Sequence, residues 1–392
     1  METDSVFHPV PECMERAIEL ARLGGGAVYP NPLVGAVIAR GGRIIAEGFH
    51  HAFGMLHAER EALEDARKRN ADVRGAELYV TLEPCCHTGK QPPCTQAVID
   101  AGIRTVVIGS RDPNPLVNGK GAEQLKAAGI TVVRDFMKAE CDALNGAFFH
   151  FIQTKRPLVT VKYAMTADGK TALSSGESKW ISNEESRRYV HFLRGTTAAV
   201  MCGVQTVLAD DPLLTCRLES ETEIALKQPV RVVLDTDLRI PEDCKLVKTA
   251  GEVPLIVFTS CAETEKKDAL EAKGAAVVCV EKSAENRLDL ESVLTELGRR
   301  AIDSVLVESG GSLNASLFFS GANKKCLADK VLCFVAPKIA GGKKERVHSP
   351  VQGAECESLL SCVNLSAPSV QRFGSDVLLA YDVLEDKPCS PE

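Results

Sequence analysis

Four residues near the start of the chain have the types and spacing of a catalytic zinc site. One alanine separates His57 from Glu59, Cys85 follows a proline, and Cys94 comes shortly afterwards. One imidazole and two thiolates leave a fourth position open on a tetrahedral zinc, as in catalytic rather than structural sites. Such a zinc activates water for attack on a ring carbon that carries an amino group, while a nearby glutamate moves protons. The pattern predicts a hydrolytic deaminase with ligands His57, Cys85 and Cys94 and with Glu59 as proton shuttle.

The spacing of the cysteines leaves two alternatives open. Eight residues separate Cys85 from Cys94, whereas the common deaminase signature has two. The insert contains Cys86 and His87, and either can in principle replace one of the named ligands. We prefer Cys85 because it follows Pro84 in register with the signature.

Polar residues that precede the zinc motif can contact a bound ring. Asn31 lies in a proline-locked turn that leads into a predicted strand, where its amide can bond the edge of a substrate. Asparagine is also a common turn residue, so Asn31 alone is a weak indication. His50 and His51 lie just before the zinc-site helix, and either can face substrate or solvent.

A second group of candidates lies in the C-terminal half. Gly310, Gly311 and Ser312 follow a predicted strand and open a predicted helix, where backbone N–H groups suit an anion. They also fit a plain strand–helix turn, and they lack the G-x-G-x-x-G spacing of a standard dinucleotide fold. Arg194 and Arg217 have planar donors suited to a phosphate, although each alone is equally consistent with a surface charge.

The hydrophobic pattern predicts two α/β domains, residues 1–150 and 151–385, followed by a polar tail at 386–392. In both domains, predicted strands alternate with predicted helices. The strands are expected at 34–39, 76–82, 104–108, 130–133, 158–163, 199–202, 230–235, 254–259, 275–280, 304–308 and 330–335. The helices are expected at 11–23, 57–70, 95–101, 119–128, 183–194, 263–273, 288–300 and 312–320. Residues 145–157 are expected to form a docked connection.

The composition restricts the substrate and the location. A formal net charge of −7 and the lack of a basic stripe disfavour nucleic acid as a partner and favour a small molecule. No secretory signal or membrane-spanning run is visible. The 15 cysteines then indicate reduced thiols in a cytoplasmic protein. We expect no membrane partner and expect a homo-oligomer.

Stretches from both halves resemble the bifunctional riboflavin biosynthesis deaminase/reductase family. In the first half they are PNPLVGAVI (30–38), GFHHAFGMLHAE (48–59), TLEPCCHTGKQPPC (81–94) and DPNPLVNGKG (112–121). In the second half they are VKYAMTADGK (161–170), SKWIS (178–182), HFLR (191–194), GVQTVLADDPLLTCR (203–217) and VESGGSL (307–313). The long gap between the cysteines is characteristic of this family, which more often has serine at the position of Cys86. The resemblance therefore favours Cys86 as a neighbour of the zinc and not as a ligand.

The resemblance implies a cytidine-deaminase-like three-layer domain followed by a dihydrofolate-reductase-like α/β domain. The implied reactions are zinc-dependent deamination of 2,5-diamino-6-ribosylamino-4(3H)-pyrimidinone 5′-phosphate and NADPH-dependent reduction of its ribosyl group to ribityl. On the reductase substrate side the family places Ser178, Arg194, Leu214, Arg217 and Glu308. On the cofactor side it places Ala164, Trp180, Thr206, Asp210, Thr236 and the run 310–316. Lys162 and Asp168 are candidates for tuning the geometry, and no side chain is an obvious proton donor for the reduction.

Two other functions compete with this interpretation. A nucleoside or nucleic-acid deaminase with an accessory domain would also explain the zinc motif, but it fits the acidic charge poorly. A chain in which one half has lost its chemistry and serves as a binding module is the other alternative. Retention of both the zinc ligands and the reductase motif residues argues against it.

Overall fold

The computed structural model describes residues 7–86, 92–114, 117–218, 222–261, 264–320, 326–342, 348–354, 356 and 358–384. Contacts between Cα atoms divide the chain into two compact units. Unit 1 comprises Met1–Lys155 with Ser220–Leu226, and unit 2 comprises Arg156–Glu219 with Lys227–Glu392. Each unit has its own sheet and its own hydrophobic clusters.

Unit 1 is a sheet covered by helices. Within its described part the strands are β1 (Gly35–Arg40), β2 (Arg43–Phe49), β3 (Glu77–Leu82), β4 (Thr105–Ser110) and β5 (Thr131–Val133). The helices are α1 (Pro11–Leu23), α2 (Ala58–Lys68), α3 (Cys94–Asp100), α4 (Lys120–Ala127), α5 (Lys138–Leu144) and α6 (Gly146–Thr154). The strand order is β2-β1-β3-β4-β5, with β1 antiparallel to β2 and β3 and the remaining pairs parallel.

The core of unit 1 follows from its sequence pattern. Strands β3 and β4 are buried along their whole length, as expected for near-continuous apolar runs with helices on both faces. One apolar cluster contains Ala62 and Ala66 of α2, and another contains Met14 and Ala17 of α1. This packing fixes the end of β3 next to the starts of α2 and α3.

Unit 2 has a larger sheet. In the described ranges its strands are β6 (Leu158–Thr166), β7 (Ala199–Gly203), β8 (Val230–Leu234), β9 (Leu255–Thr259), β10 (Ala275–Cys279), β11 (Ser304–Glu308), β12 (Lys330–Ala336), β13 (Ser369–Phe373) and β14 (Asp376–Asp382). Its helices are α7 (Glu184–Gly195), α8 (Val204–Asp210), α9 (Lys245–Lys248), α10 (Glu265–Ala272), α11 (Leu290–Arg299) and α12 (Gly311–Phe318).

The strand order in unit 2 brings the carboxyl ends of several parallel strands together on one side of the sheet. The order is β10-β9-β8-β7-β11-β6-β12-β14-β13, parallel as far as β12 and antiparallel over the final two pairs. Strands β6 and β11 are therefore parallel neighbours. Ligands of open parallel sheets bind beyond the carboxyl ends of the strands. On that side of the sheet, β11 ends at Glu308 and β7 ends at Gly203.

The predicted alternation is confirmed for the strands and helices of both units, usually within two residues at each end. The sequence prediction missed β2, α5, α8, α9 and the β13–β14 hairpin, and the connection expected at 145–157 contains helix α6. Most of β13 is exposed, so it lacks the apolar run that marked the inner strands. The tail at 386–392 lies outside the described residues. None of the helices that the structure describes is both long and apolar enough to cross a membrane.

Candidate active sites

The three predicted zinc ligands come together in unit 1. His57 is the residue before α2, Cys85 follows β3, and Cys94 is the first residue of α3. The Nδ1 atom of His57 lies 3.6 Å from Sγ of Cys85 and 3.3 Å from Sγ of Cys94. All three ligand atoms lie within 4.8 Å of one another. One imidazole nitrogen and two sulfurs at this spacing fit a zinc ion with one open position.

The surroundings of the sulfurs favour a thiolate. The Cys94 side chain and then His57 form hydrogen bonds with Cys85 that outweigh burial and lower the pKa of Cys85 to about 4. The pKa of Cys94 is raised by the same hydrogen bond with Cys85 and by burial. The backbone N–H of Cys94 also donates to Sγ of Cys85 over 3.4 Å. A bound dication favours the thiolate form of both sulfurs.

Glu59 lies in the first turn of α2, with only 4% of its surface exposed. Burial, followed by the charge on Cys85, raises the pKa of its carboxyl group. Glu59 and His57 line a cavity of about 440 Å³. Its other lining residues include Asn31, His50, Phe53, Met55, Cys85, Asp112, Asn114, Val117 and Phe148. The cavity thus combines the ligand cluster with apolar walls and a few polar groups, as small-molecule sites usually do.

The contacts of His50 determine how Asn31 faces this cavity. Nδ1 of His50 is 2.9 Å from the carbonyl oxygen of Leu56, so Nδ1 carries the hydrogen. Nε2 of His50 then has a lone pair and accepts from the amide nitrogen of Asn31 over 3.0 Å. Burial lowers the pKa of His50, in agreement with a neutral ring. Asn31 is therefore oriented with its amide oxygen available to a ligand.

Glu83 is a site residue to which the sequence gave no role. Its carboxylate accepts from the backbone N–H groups of Gly119 and Ala122, each over 3.0 Å. A side chain at Gly121 would place a Cβ 2.2 Å from the carbonyl oxygen of Pro84, so this close approach requires glycine. Glu83 thus joins the start of α4 to the segment that contains Cys85. A glutamate placed directly between an apolar run and Pro84 was the sequence signal for it.

The structure separates the alternatives in the zinc motif. Cys86 does not belong to the ligand cluster found among the described residues, and His87 lies outside those residues. The His51 ring packs against Phe49 in a tilted arrangement, and its Nε2 atom lies 3.9 Å from Oε1 of Glu61. Of the two neighbouring histidines, it is His50 that lines the cavity.

Two adjoining cavities in unit 2 contain the other predicted site residues. The first, of about 630 Å³, is lined by Ala164, Ser178, Trp180, Arg194, Thr206, Asp210, Leu214, Arg217, Glu308, Gly310 and Gly311, together with Lys162 and His191. The second, of about 620 Å³, is lined by Thr236 and Ser312 and shares Thr206, Gly310 and Gly311 with the first. The shared residues make the two cavities one extended groove.

A cluster of three charged side chains lies at the inner end of this groove. Arg194 binds Glu308 through two contacts, Nε to Oε1 at 2.5 Å and Nη2 to Oε2 at 3.0 Å. Nζ of Lys162 is 3.6 Å from Oε2 of Glu308. Burial alone would raise the pKa of Glu308, but Arg194 and Lys162 outweigh it and bring the pKa down to about 2. Arg194 is therefore already paired, whereas Arg217 lies exposed at the cavity wall.

Trp180 and Asp168 have different environments. A single tryptophan usually packs in the core. Trp180 is instead 66% exposed, and the Arg187 guanidinium lies 4.5 Å from its ring centre. The Asp168 carboxylate accepts from Thr166 and from the backbone N–H groups of Ala340 and Gly341. Asp168 thus closes a turn after β6, in agreement with a role in geometry.

The two glycines at the start of α12 serve different purposes. A Cβ at Gly311 would lie 2.5 Å from the carbonyl oxygen of Ser349, so packing requires glycine there. A Cβ at Gly310 would meet nothing within 4 Å, which leaves its backbone open to the groove. From a separate segment, Arg287 reaches the hydroxyls of Ser312 and Ser316. Nothing in the sequence near Arg287 indicated this position.

Two family models match the chain. The model described as "Cytidine and deoxycytidylate deaminase zinc-binding region" matches residues 10–110, and "RibD C-terminal domain" matches residues 157–379. These matches place the zinc cluster in the first model and the charged cluster in the second.

Similar proteins cover nearly the whole chain. The riboflavin biosynthesis protein RibD of Actinobacillus pleuropneumoniae is 48% identical over 372 residues, covering 95% of this chain and 94% of its own. RibD of Escherichia coli strain K12 is 38% identical over 374 residues, covering 93% of this chain and 97% of its own.

Solved structures agree with these relatives. An Acinetobacter baumannii RibD structure superposes with a TM-score of 0.83 at 33% identity, covering 95% of this chain and 98% of the other. A Thermotoga maritima structure superposes with a TM-score of 0.81 at 40% identity and the same coverage. That protein is described as a diaminohydroxyphosphoribosylaminopyrimidine deaminase/5-amino-6-(5-phosphoribosylamino)uracil reductase. The chain therefore belongs to the RibD family of riboflavin biosynthesis enzymes, with a zinc-dependent deaminase half and an NADPH-dependent reductase half.

Proposed function

We propose that unit 1 deaminates 2,5-diamino-6-ribosylamino-4(3H)-pyrimidinone 5′-phosphate and that unit 2 reduces the ribosyl group of the product with NADPH. One observation carries the first assignment: three ligand atoms within 4.8 Å of one another border a cavity that also contains a buried carboxylate. The description of the Thermotoga maritima protein supports the choice of substrate. A cavity of about 440 Å³ is of a size suited to one such molecule.

In the deaminase, His57, Cys85 and Cys94 hold the metal. Zinc bound there supplies the activation of water for attack on the ring carbon that bears the amino group. The Glu59 carboxylate accepts a proton from that water as the new C–O bond forms. It then passes a proton to the amino group, which leaves as ammonia when the C–N bond breaks. The position of Glu59, two residues from a ligand and inside the same cavity, supports this role.

Asn31 and His50 orient the ring in this proposal. The amide oxygen of Asn31 accepts a hydrogen bond from the substrate, because His50 already engages the amide nitrogen. A neutral His50 is needed for this arrangement, since a doubly protonated ring has no lone pair to accept with. Apolar side chains such as Phe53 and Phe148 enclose the ring and exclude water.

In the reductase, the groove accommodates the cofactor along its length. We assign the nicotinamide end to Ala164 and Trp180, beside the charged cluster. Thr206 and Asp210 line the groove at this end as well. The pyrophosphate is assigned to the backbone N–H groups that begin at Gly310, where a helix starts. Residues Gly311, Ser312 and Thr236 continue the cofactor side into the second cavity.

The far end of the groove fits the 2′-phosphate that distinguishes NADPH from NADH. Arg239 and Arg287 both line the second cavity. Arg287 donates to Oγ of Ser312 over 3.2 Å and to Oγ of Ser316 over 3.1 Å, which holds its guanidinium beside the start of α12. Guanidinium groups and hydroxyls are suitable partners for a phosphate dianion. We therefore assign Arg287, with Arg239, to the 2′-phosphate.

The remaining groups act on the second substrate. Ser178 and Leu214 line the substrate end, and Arg217 is assigned to the 5′-phosphate. Arg194 keeps Glu308 ionised, and Glu308 in turn accepts hydrogen bonds from the pyrimidine. Leu214 is buried with a backbone φ of +53°, and such strained backbone in a residue other than glycine is common at binding sites.

Lys162 is the proton donor that we assign to the reduction. Opening of the ribosylamine ring leaves a C1′=N bond, whose carbon would receive the hydride that NADPH held in the groove would supply, while the nitrogen takes a proton. The Lys162 ammonium lines the cavity, and burial lowers its pKa while Glu308 opposes that shift. A lowered pKa makes the ammonium a stronger acid at neutral pH.

A homo-oligomeric state and a cytoplasmic location stay predictions from the sequence.

One experiment tests both halves. The purified protein is analysed for zinc per chain and is then given the diaminopyrimidinone ribosyl phosphate together with NADPH. We expect about one zinc per chain, release of ammonia, and then oxidation of NADPH. Ammonia without NADPH oxidation would contradict the reductase assignment. Bound zinc without ammonia would contradict the proposed substrate, and other pyrimidines and nucleosides would then be tested.

A further inference from the structure

His191 connects two segments of the reductase cavity. It lies on α7, one turn before Arg194, and it lines the cavity. Its Nδ1 atom is 3.1 Å from the carbonyl oxygen of Thr215, and its Nε2 atom is 3.1 Å from Nη2 of Arg217. The backbone N–H of Arg217 is directed at the same Nδ1 over 3.2 Å, a hydrogen bond that only an unprotonated Nδ1 can accept. Three contacts therefore link His191 to residues 215–217, and no single tautomer satisfies all three.

These contacts select one form of the imidazole. A carbonyl oxygen can only accept, so Nδ1 carries a hydrogen and donates it to Thr215. A guanidinium nitrogen can only donate, so Nε2 has a lone pair and accepts from Arg217. The opposite tautomer would accept from the backbone N–H of Arg217 at Nδ1, but it would oppose two donors at Nε2 and leave Thr215 without this hydrogen bond. The first form therefore satisfies two of the three contacts and the second form only one. Burial, then the nearby charges of Arg194 and Arg217, lowers the pKa of His191 to about 4, in agreement with a neutral ring.

The two arginines that border His191 differ in how many of their guanidinium N–H groups are already hydrogen-bonded. Arg194 directs Nε and Nη2 to Glu308 and Nη1 to the carbonyl oxygen of Thr215. The side chain of Arg194 is only 12% exposed. For Arg217, the guanidinium hydrogen bond found among the described residues is the one to His191 through Nη2. With respect to the described residues, its Nε and Nη1 hydrogens are therefore available for an oxyanion in the cavity.

The shared carbonyl group explains how one histidine can fix this arrangement. Thr215 accepts from both His191 and Arg194 over 3.1 and 3.2 Å. Because Arg194 is itself bound to Glu308 at the end of β11, the segment 215–217 is held relative to the sheet. His191 then holds the Arg217 side chain relative to that segment. Preorganisation of a long, flexible side chain reduces the entropy lost when a ligand binds.

We propose that His191 is a positioning residue of the reductase, whose Nε2 lone pair holds Arg217 towards the 5′-phosphate of the substrate. This inference rests on the proposed role of Arg217. In this role the neutral imidazole of His191 contributes no charge of its own but determines the affinity for a phosphorylated substrate. His191 does not need to touch the reacting atoms.

Two substitutions separate positioning from a general structural role. His191→Leu removes the acceptor, while His191→Gln keeps a side-chain oxygen that can accept from Arg217. Steady-state reduction is measured with the deaminated phosphate substrate at saturating NADPH. We expect the Leu variant to raise KM on the order of five- to tenfold, the worth of about one hydrogen bond, with kcat nearly unchanged. The Gln variant should recover most of the affinity.

Inorganic phosphate provides a second measurement. As a competitive inhibitor of the reduction, it should bind more weakly to the Leu variant by a similar factor and normally to the Gln variant. The substrate without its phosphate should show the same KM with all three proteins. His8→Leu, at an exposed histidine of unit 1, is the matched control, and ammonia release monitors folding of the remainder of the chain.

The outcomes distinguish this inference from the proposed function. If Arg217→Ala raises KM but His191→Leu does not, the positioning role is wrong and the phosphate assignment stands. If Arg217→Ala has no effect on KM, the assignment of Arg217 itself is wrong. An equal rise in KM for the phosphorylated and dephosphorylated substrates, or no recovery with Gln, would also overturn the positioning role.

Discussion

The two sites of this chain are built in different ways. The proposed zinc ligands His57, Cys85 and Cys94 lie within a short stretch, each at or near the end of a helix or strand. The reductase groove is assembled from distant segments, from Lys162 on β6 to the turn before α12 and beyond. The first site depends on residue types that few other roles require, whereas the second depends on common side chains brought together by the sheet.

This difference determines what each residue can be expected to contribute. A zinc ligand cannot be replaced by a neighbour, because the metal needs a particular atom at a particular distance. In the groove, binding is shared among backbone N–H groups, paired charges and single arginines. Loss of one group in the first site should therefore abolish a reaction, while loss of one group in the second should change an affinity.

Removal of zinc is expected to have the largest effect, because it should abolish deamination and leave the reduction unchanged. After prolonged dialysis against a chelator, we expect ammonia release to fall to background. Reduction of 5-amino-6-(5-phosphoribosylamino)uracil by NADPH should continue, since the groove contains no predicted metal ligand. Return of ammonia release on addition of zinc is the control for irreversible unfolding. A parallel loss of both activities would show that the two sites are not independent.

Substitution of the proton shuttle tests the same site without removing its metal. Glu59→Gln should lower the rate of ammonia release by about 10² to 10⁴, the usual contribution of a positioned acid–base group. Zinc per chain, measured by atomic absorption, should not change because Glu59 is not a ligand. Glu64→Gln on the same helix is the matched control, since the ion pair that the described part of the chain shows for Glu64 is with Arg67. Deamination by Glu59→Gln at a near wild-type rate would remove Glu59 from the mechanism.

The difference between the two sites also explains which structural features could be predicted from the sequence. The elements around both sites could be predicted, because β3, β4, β7 and β11 are continuous apolar runs in which local pattern and burial agree. The zinc cluster could be predicted because His, Cys and Glu at that spacing have few other uses. The assignment of Cys85 over Cys86 agrees with the cluster that the structure describes.

Other site features depended on partners that are remote in sequence. The sequence treated Arg194 and Arg217 as equivalent, and only the contact with Glu308, more than a hundred residues away, distinguishes them. Arg287 gave no signal, and His191 stood out only as part of the stretch HFLR without a role of its own, because both act through hydrogen bonds to other segments. The chemistry of the residues themselves indicated the two arginines and the run 310–312, and the other groove residues were identified by resemblance.

Arg217→Ala tests the division of labour between the two arginines. Since Arg217 is exposed and Arg194 is paired, the substitution should raise KM for the phosphorylated substrate of the reductase about 10- to 100-fold. That range is the worth of one charge-assisted hydrogen bond to a phosphate. The rate of ammonia release should not change. Steady-state kinetics of NADPH oxidation provides the measurement, and an unchanged KM would mean that another group binds the phosphate.

Arg287→Ala tests the far end of the groove, where we expect the smallest effect. Because the guanidinium is assigned to the 2′-phosphate, the dissociation constant of NADPH should rise about tenfold while that of NADH stays the same. Trp180, the single tryptophan of the chain, lines the nicotinamide end. Its fluorescence therefore reports binding of either cofactor in the intact protein, without turnover. Arg299→Ala, at an exposed arginine of the same unit, is the matched control. Equal weakening of NADPH and NADH would mean that Arg287 supports the fold of α12 and does not recognise the phosphate.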